Sequence, residues 1–129
     1  MIAKKESTHG TVRKGHKLAI DMIKPGVTGG KVHDAVQTFF DKEGYKTAKD
    51  CRKPEGFFHA LGHGAGLEIH EEPIMRSKAP CRLRKGMAVT VEPGLYYHGL
   101  GGCRIEDLVH VVAGGCELIS KASYKWEIA

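Results

Sequence analysis

The sequence predicts an α+β fold, with two helices followed by a mostly antiparallel sheet that carries the helices on one face. Two observations lead there. Apolar residues recur at helical spacing in two stretches before Gly44. After Gly56 the apolar runs become short and β-rich, and Gly or Pro punctuates them.

Taken in order, residues 1 to about 9 are polar and expected to fray. Thr11 to Ile23 sets Val12, Ala19 and Ile23 at helical spacing, with Leu18 and Met22 alongside, and Pro25-Gly26 ends the element. Thr28 is placed to cap a second helix whose apolar face is Val32, Ala35, Val36, Phe39 and Phe40. Gly44 suits the position just past its end. His16 and His33 on these helices read as ordinary surface or core-edge residues. Tyr45 to Gly56 is a polar connection. Phe57 to Gly64 reads as a strand with positions 59, 61 and 63 on one face, and Glu71 to Gly86 as a loop. Two paired strands follow, around Glu92 and Glu106, joined across His98 to Gly102. Gly114-Gly115 turns the chain into a short last strand, Cys116 to Ser120, and Trp126 is placed to anchor the tail.

A chain of 129 residues with 41% hydrophobic content fits one folded domain, residues 1–129. No stretch approaches the roughly 20 apolar residues of a membrane span. The N-terminus has no apolar leader core, so a cytoplasmic protein without membrane contact is expected. The formal charge of +5 is spread over short clusters such as Lys4-Lys5 and Arg82-Leu83-Arg84-Lys85, which read as solvated faces. No nucleic-acid partner is expected. The four cysteines form no C-x-x-C pair, and they read as free thiols, with Cys103 and Cys116 as small buried hydrophobes.

Three stretches carry chemistry. F-F-H-A-L-G-H-G-A-G-L-E-I-H-E-E-P, from Phe57 to Pro73, holds His59, His63 and His70 with glycines around the middle one. Imidazole is a common metal ligand and acid or base, and glycine lets backbone or substrate come close. His59 and His63 are four apart, but Ala60 stands where a zincin helix needs Glu. M-A-V-T-V-E-P-G-L-Y-Y carries one acid, Glu92, and G-G-C-R-I-E-D-L-V-H-V-V carries Glu106. Acids in such apolar company need a partner. A divalent metal shared with an imidazole supplies one. The plain alternatives are a buried, hydrogen-bonded His63 and a salt bridge from the acids to Arg104. Asp107 is expected on the opposite strand face, and His98 and His110 as structural or exposed.

The order G-H-G-A-G, H-E-E-P, V-E-P-G-L-Y-Y and R-I-E-D-L-V resembles the C-terminal half of the pita-bread metallopeptidases. That superfamily holds methionine aminopeptidases, Xaa-Pro aminopeptidases, prolidases and creatinase-like enzymes. The extra histidine, His59, with E-P-G-L-Y and R-I-E-D, is more similar to the proline-specific branch. The resemblance runs from about Val12 to Ser120 and implies half of a pita-bread fold, its two helices packed on a curved sheet.

By this resemblance His63, Glu92 and Glu106 are metal ligands. Glu92 also takes the proton of the attacking water, His70 contacts the substrate carbonyl, and His59 helps hold the substrate. Arg104 pairs with and orients the neighbouring acids. The family's two-metal site also uses two aspartates and a further histidine from strands ahead of the first helix, which this sequence does not contain. One Mn, Co or Zn ion is therefore expected rather than two. His63, Glu92 and Glu106 are expected on one sheet face, with the helices on the other. The implied activity is a metal-dependent exopeptidase of the Xaa-Pro aminopeptidase or dipeptidase type, acting on peptides. Its expected partner is a second copy or a chain supplying the N-terminal half. The alternative is a non-catalytic binding module of the same fold.

Overall fold

The computed structural model describes residues 5–127, so the expected fraying of residues 1–4 lies outside the described residues. Helix α1 (Lys5–Met22) begins earlier than apolar spacing alone predicts. Tertiary contact extends it: the Thr8 hydroxyl meets the Tyr45 phenol at 3.3 Å and the His9 ring lies 5.4 Å from that of Trp126. Helix α2 (Gly29–Lys42) starts at Thr28, whose hydroxyl accepts from the Lys31 N–H. It ends in a Schellman arrangement. Gly44 takes φ +87° and donates to the Asp41 carbonyl, while Tyr45 donates to that of Phe40.

Seven strands follow. They are β1 (Gly62–Gly64), β2 (Glu71–Met75), β3 (Ala88–Val91), β4 (Gly94–Tyr97), β5 (Gly101–Arg104), β6 (Asp107–Val112) and β7 (Gly115–Leu118). Five form one antiparallel sheet in the order β2-β1-β3-β6-β7, and β4 and β5 make a separate hairpin. This is the α+β arrangement expected, with four corrections. The segment before His63 is strand only from Gly62. Gly56 bridges to Tyr96 of the hairpin, whereas Leu61 bonds to Met75 and Glu92, so residues 57–61 cross between two sheets without a ladder of their own. Leu61 is in the core while His63 points elsewhere, so positions 59, 61 and 63 do not share a face. Glu71 to Met75 is an edge strand instead of loop, a place where Pro73 is tolerated. The run from Met87 to Tyr97 splits at Pro93, so β3 pairs with β6 and a whole hairpin intervenes. Finally, β7 is shifted to begin at Gly115, after a tight turn in which Gly114 takes φ +77°.

Alternation along β3 and β6 sorts the two faces. Val89, Val91, Val109 and Val111 are fully buried against Val12, Ala19 and Ile23 of α1 and Val32, Val36 and Phe40 of α2. Burying these side chains is the main force holding helices to sheet. Cys103 and Cys116 pack partly against this core, and burial pushes both thiols up. No helix among the described residues is long and apolar enough to cross a membrane.

His16 and His33 are buried rather than surface or core-edge residues. His16 lies at helical spacing with Val12 and Ala19, and His33 with Val36 and Phe40, so both turn inward. Trp126 meets His9 but stays half exposed.

Candidate metal centre

Glu92 and Glu106 sit at the same end of one strand pair. The last β3–β6 pair is Val91↔Asp107, and the two glutamates are the next residue outward on each side. Both acids lie at strand ends, not within strands as their apolar neighbours imply. Alternation then turns their side chains away from the helices. The third member arrives from β1, which pairs with β3 through Gly64↔Val89. A Cβ at Gly62 would drive into the Thr90 carbonyl, and one at Gly64 into that of Glu72. These glycines are what let β1 close onto its neighbours with His63 between them.

One ligand atom each from His63, Glu92 and Glu106 lies within 4.8 Å of the others, the only such grouping of three among the described residues. His63 Nε2 is 3.1 Å from Glu92 Oε1. The opposite ring nitrogen, Nδ1, is 2.9 Å from the Gly64 carbonyl, which can only accept, so Nδ1 carries the hydrogen. In the neutral ring, therefore, a lone pair on Nε2 faces a carboxylate oxygen. Either a ring proton or a metal cation can bridge Nε2 and Oε1 at that distance, and orientation of a ligating imidazole by a backbone carbonyl is a usual feature of metal sites. The donor set thus fits a divalent ion. Glu106 is the exposed member, with no hydrogen bond or ion pair to any described residue.

Glu92 is held from two sides. Its Oε1 accepts from the Thr90 hydroxyl at 2.9 Å, and its Oε2 lies 3.3 Å from Arg104 Nη1. Arg104 in turn donates from Nε to the Tyr96 phenol at 2.6 Å. The ion pair with Arg104 therefore coexists with the His63 contact. Thr90 and Tyr96 are additions that the residue pattern did not single out. Thr90 had a legible signal, being two positions before Glu92 and hence on the same strand face.

His70 returns to the cluster, with its exposed ring 4.5 Å from that of His63. His59 stands apart from the acids in an aromatic wall, its ring 5.2 Å from Phe57 and 5.5 Å from Tyr96. Its Nδ1 donates to the Ala60 carbonyl at 2.7 Å, and its Nε2 is buried without a partner among the described residues. Burial pushes His59 below the usual histidine range, and the Arg104 charge adds to this. His59 is therefore a neutral ring with an open acceptor. His33 supports it from beneath, 3.3 Å from the His59 carbonyl and stacked on Phe57 at 4.8 Å.

The family model for metallopeptidase family M24 matches residues 2–113. The Xaa-Pro dipeptidase of Pyrococcus horikoshii is 34% identical over 118 residues, covering 92% of this chain and 31% of that protein. The solved prolidase from Pyrococcus furiosus superposes with a TM-score of 0.83 at 34% identity, over 92% of this chain and 33% of that one. An Xaa-Pro dipeptidase from Bacillus anthracis gives 0.84 at 36% identity, over 94% and 32%. The chain thus spans about a third of the length of these relatives. It shares the prolidase fold over that third, which is the half pita-bread arrangement, and it belongs to metallopeptidase family M24.

Proposed function

We propose that this chain is the ligand-bearing portion of an exopeptidase of the Xaa-Pro aminopeptidase or dipeptidase type, with residues 1–129 folding as one unit. The observation that carries this is the convergence of His63, Glu92 and Glu106 with Nε2 of His63 turned toward Glu92. Relatives named Xaa-Pro dipeptidase and prolidase supply the reaction class. The ligand set of one imidazole and two carboxylates suits a single Mn, Co or Zn ion.

A divalent ion held there supplies a more acidic bound water and a polarised carbonyl. The protein's own groups do the rest. Glu92 accepts the proton of the attacking water, while Thr90 and Arg104 keep its two oxygens aimed. His70 donates to the substrate carbonyl oxygen and stabilises the charge that develops there. His59 offers its open Nε2 to a donor of the bound peptide, inside an aromatic wall that suits a proline ring. A second copy, or a chain supplying the N-terminal half, completes the enclosure of the peptide.

The test is hydrolysis of an Xaa-Pro dipeptide with Mn, Co or Zn, against a matched Xaa-Ala dipeptide. The expected result is a slow reaction selective for proline, enhanced by the complementing half and absent in Glu92→Gln. Equal rates on both dipeptides, or activity that survives Glu92→Gln, would contradict the proposal. Each missing positioning or charge-stabilising group lowers the rate by about 100-fold or more, so the chain alone is expected to be slow.

A further inference from the structure

A second polar cluster lies directly behind the candidate ligands, and the proposed reaction does not use it. Asp107 is only 2% exposed, and a carboxylate so placed needs donors. One hydrogen-bond donor and one close imidazole reach it, from elements far apart in the chain. The Tyr124 phenol donates to Oδ2 at 2.6 Å, and His16 Nε2 of α1 lies 2.9 Å from the same oxygen, off the line of an ideal hydrogen bond. The Tyr124 ring is itself clamped, with the Arg13 guanidinium 5.1 Å from its centre and the His16 ring edge-on at 5.7 Å. The hydrogen bond to Asp107, with burial, pushes the phenol up to about 12, so it remains a donor across the working pH range.

Position makes this cluster matter. Asp107 belongs to the last β3–β6 pair, and the next residues outward are Glu92 and Glu106. Asp107 points to the helices and Glu106 to the other face. Glu92 has Thr90 and Arg104 to aim it, whereas Glu106 has no side-chain partner among the described residues. The backbone at residues 106–107 therefore has to aim Glu106. On one side that backbone is held by Ile105, buried and bonded to the Pro93 carbonyl, and on the other by the contacts of Asp107.

We infer that Asp107, fastened by Tyr124 and His16, is a positioning residue that sets Glu106 against Glu92 and His63. The 120–127 tail thereby becomes part of the support of the candidate metal site. This inference rests on the metal-site reading, and the test separates the two.

Zinc affinity and metal-free backbone amide spectra are measured together on the folded chain, for wild type, Asp107→Asn, Tyr124→Phe and the double variant. A core control, Val111→Ala, lowers stability on the same strand without touching Asp107. Loss of an outer-shell partner typically weakens metal binding about 10–100-fold, and Asp107→Asn is expected in that range. Tyr124→Phe removes the one hydrogen-bond donor to the Asp107 side chain and is expected to weaken zinc about threefold, and to add nothing to Asp107→Asn. Both single variants should shift the Glu106 amide without metal. Val111→Ala should keep the wild-type Kd despite its lower Tm. Wild-type affinity with an unmoved Glu106 amide in both variants overturns the inference, as does equal weakening in Val111→Ala. If wild type binds no zinc, the metal reading fails, and the Glu106 amide still decides the positioning role. Should Asp107→Asn not fold, Tyr124→Phe carries the test, because it keeps the ring and removes one donor.

Discussion

The two flanks of the candidate metal site are built differently. The carboxylate flank, at the outer end of β3 and β6, is carried by a regular ladder on a valine core. Glu92 there is held at both oxygens, and Asp107 anchors the partner strand. The histidine flank, residues 57–70, has three residues of strand and a long irregular remainder. At its outer edge Leu67 and Ile69 stand in solvent beside an exposed His70. One flank is set by packing that would exist without any ligand. The other is close-fitting from Phe57 to Gly64, with Phe57 and Leu61 in the core, and opens outward beyond that toward whatever binds. A ladder that fixes Glu92, facing a histidine arm that opens outward, suits a site that must fix an ion and still admit a peptide.

The sharpest way to break this contrast is at the glycines. Gly62→Ala forces a Cβ into the Thr90 carbonyl, a backbone atom that cannot step aside. It is expected to cost about 3 kcal/mol or more, or to prevent folding, as measured by urea denaturation. Gly66→Ala meets only the flexible Glu71 carboxylate and should stay within about 0.5 kcal/mol of wild type. Equal losses in the two variants would mean that the arm is as tightly built as the ladder.

The pH response adds an intermediate effect. Burial lowers His16, His33 and His59 below the ordinary histidine value of 6.5. In the folded chain they stay neutral where the unfolded chain already binds protons. Stability is therefore full above about pH 7 and falls as pH drops through 6.5 toward the lowered folded values. Thermal melts from pH 8 to pH 5 should show a falling Tm. His33→Asn removes one such group and should flatten the slope, and an unchanged slope would mean that His33 takes up a proton as readily folded as unfolded.

Two smaller effects test the flanks separately. Thr90→Val removes a donor to Glu92 and an acceptor for the His63 N–H, at a cost of about 1–3 kcal/mol in chemical denaturation. Leu67→Ser with Ile69→Ser touches only solvated side chains and should leave stability within about 0.5 kcal/mol. A large loss from the pair would show that the loop is packed in solution.

The same contrast explains what the sequence made legible. Periodicity located both helices, and Thr28 and Gly44 marked the ends of the second one, because caps and apolar stripes are local signals. Glu92, Glu106 and His63 stood out as chemistry-bearing residues in apolar or glycine-rich company, and the structure gathers them. The crossing at residues 57–61 and the inserted β4–β5 hairpin were not legible, since both depend on which distant strand accepts each backbone bond. The buried role of His16 depends on Asp107 and Tyr124, residues far along the chain that no local pattern connects to it. His16 and His33 did fall on the apolar spacing of their helices, a signal that a polar residue type obscures.

The central claim is that His63, Glu92 and Glu106 hold one divalent ion. Titration calorimetry of the folded chain with zinc, repeated on Glu92→Gln, tests it most directly. The account predicts one ion per wild-type chain and a loss of at least about 100-fold in affinity when Glu92 is replaced, the upper end of what even an outer partner contributes. A folded wild-type chain that binds no zinc, or a Glu92→Gln chain that binds it as tightly as wild type, would contradict it.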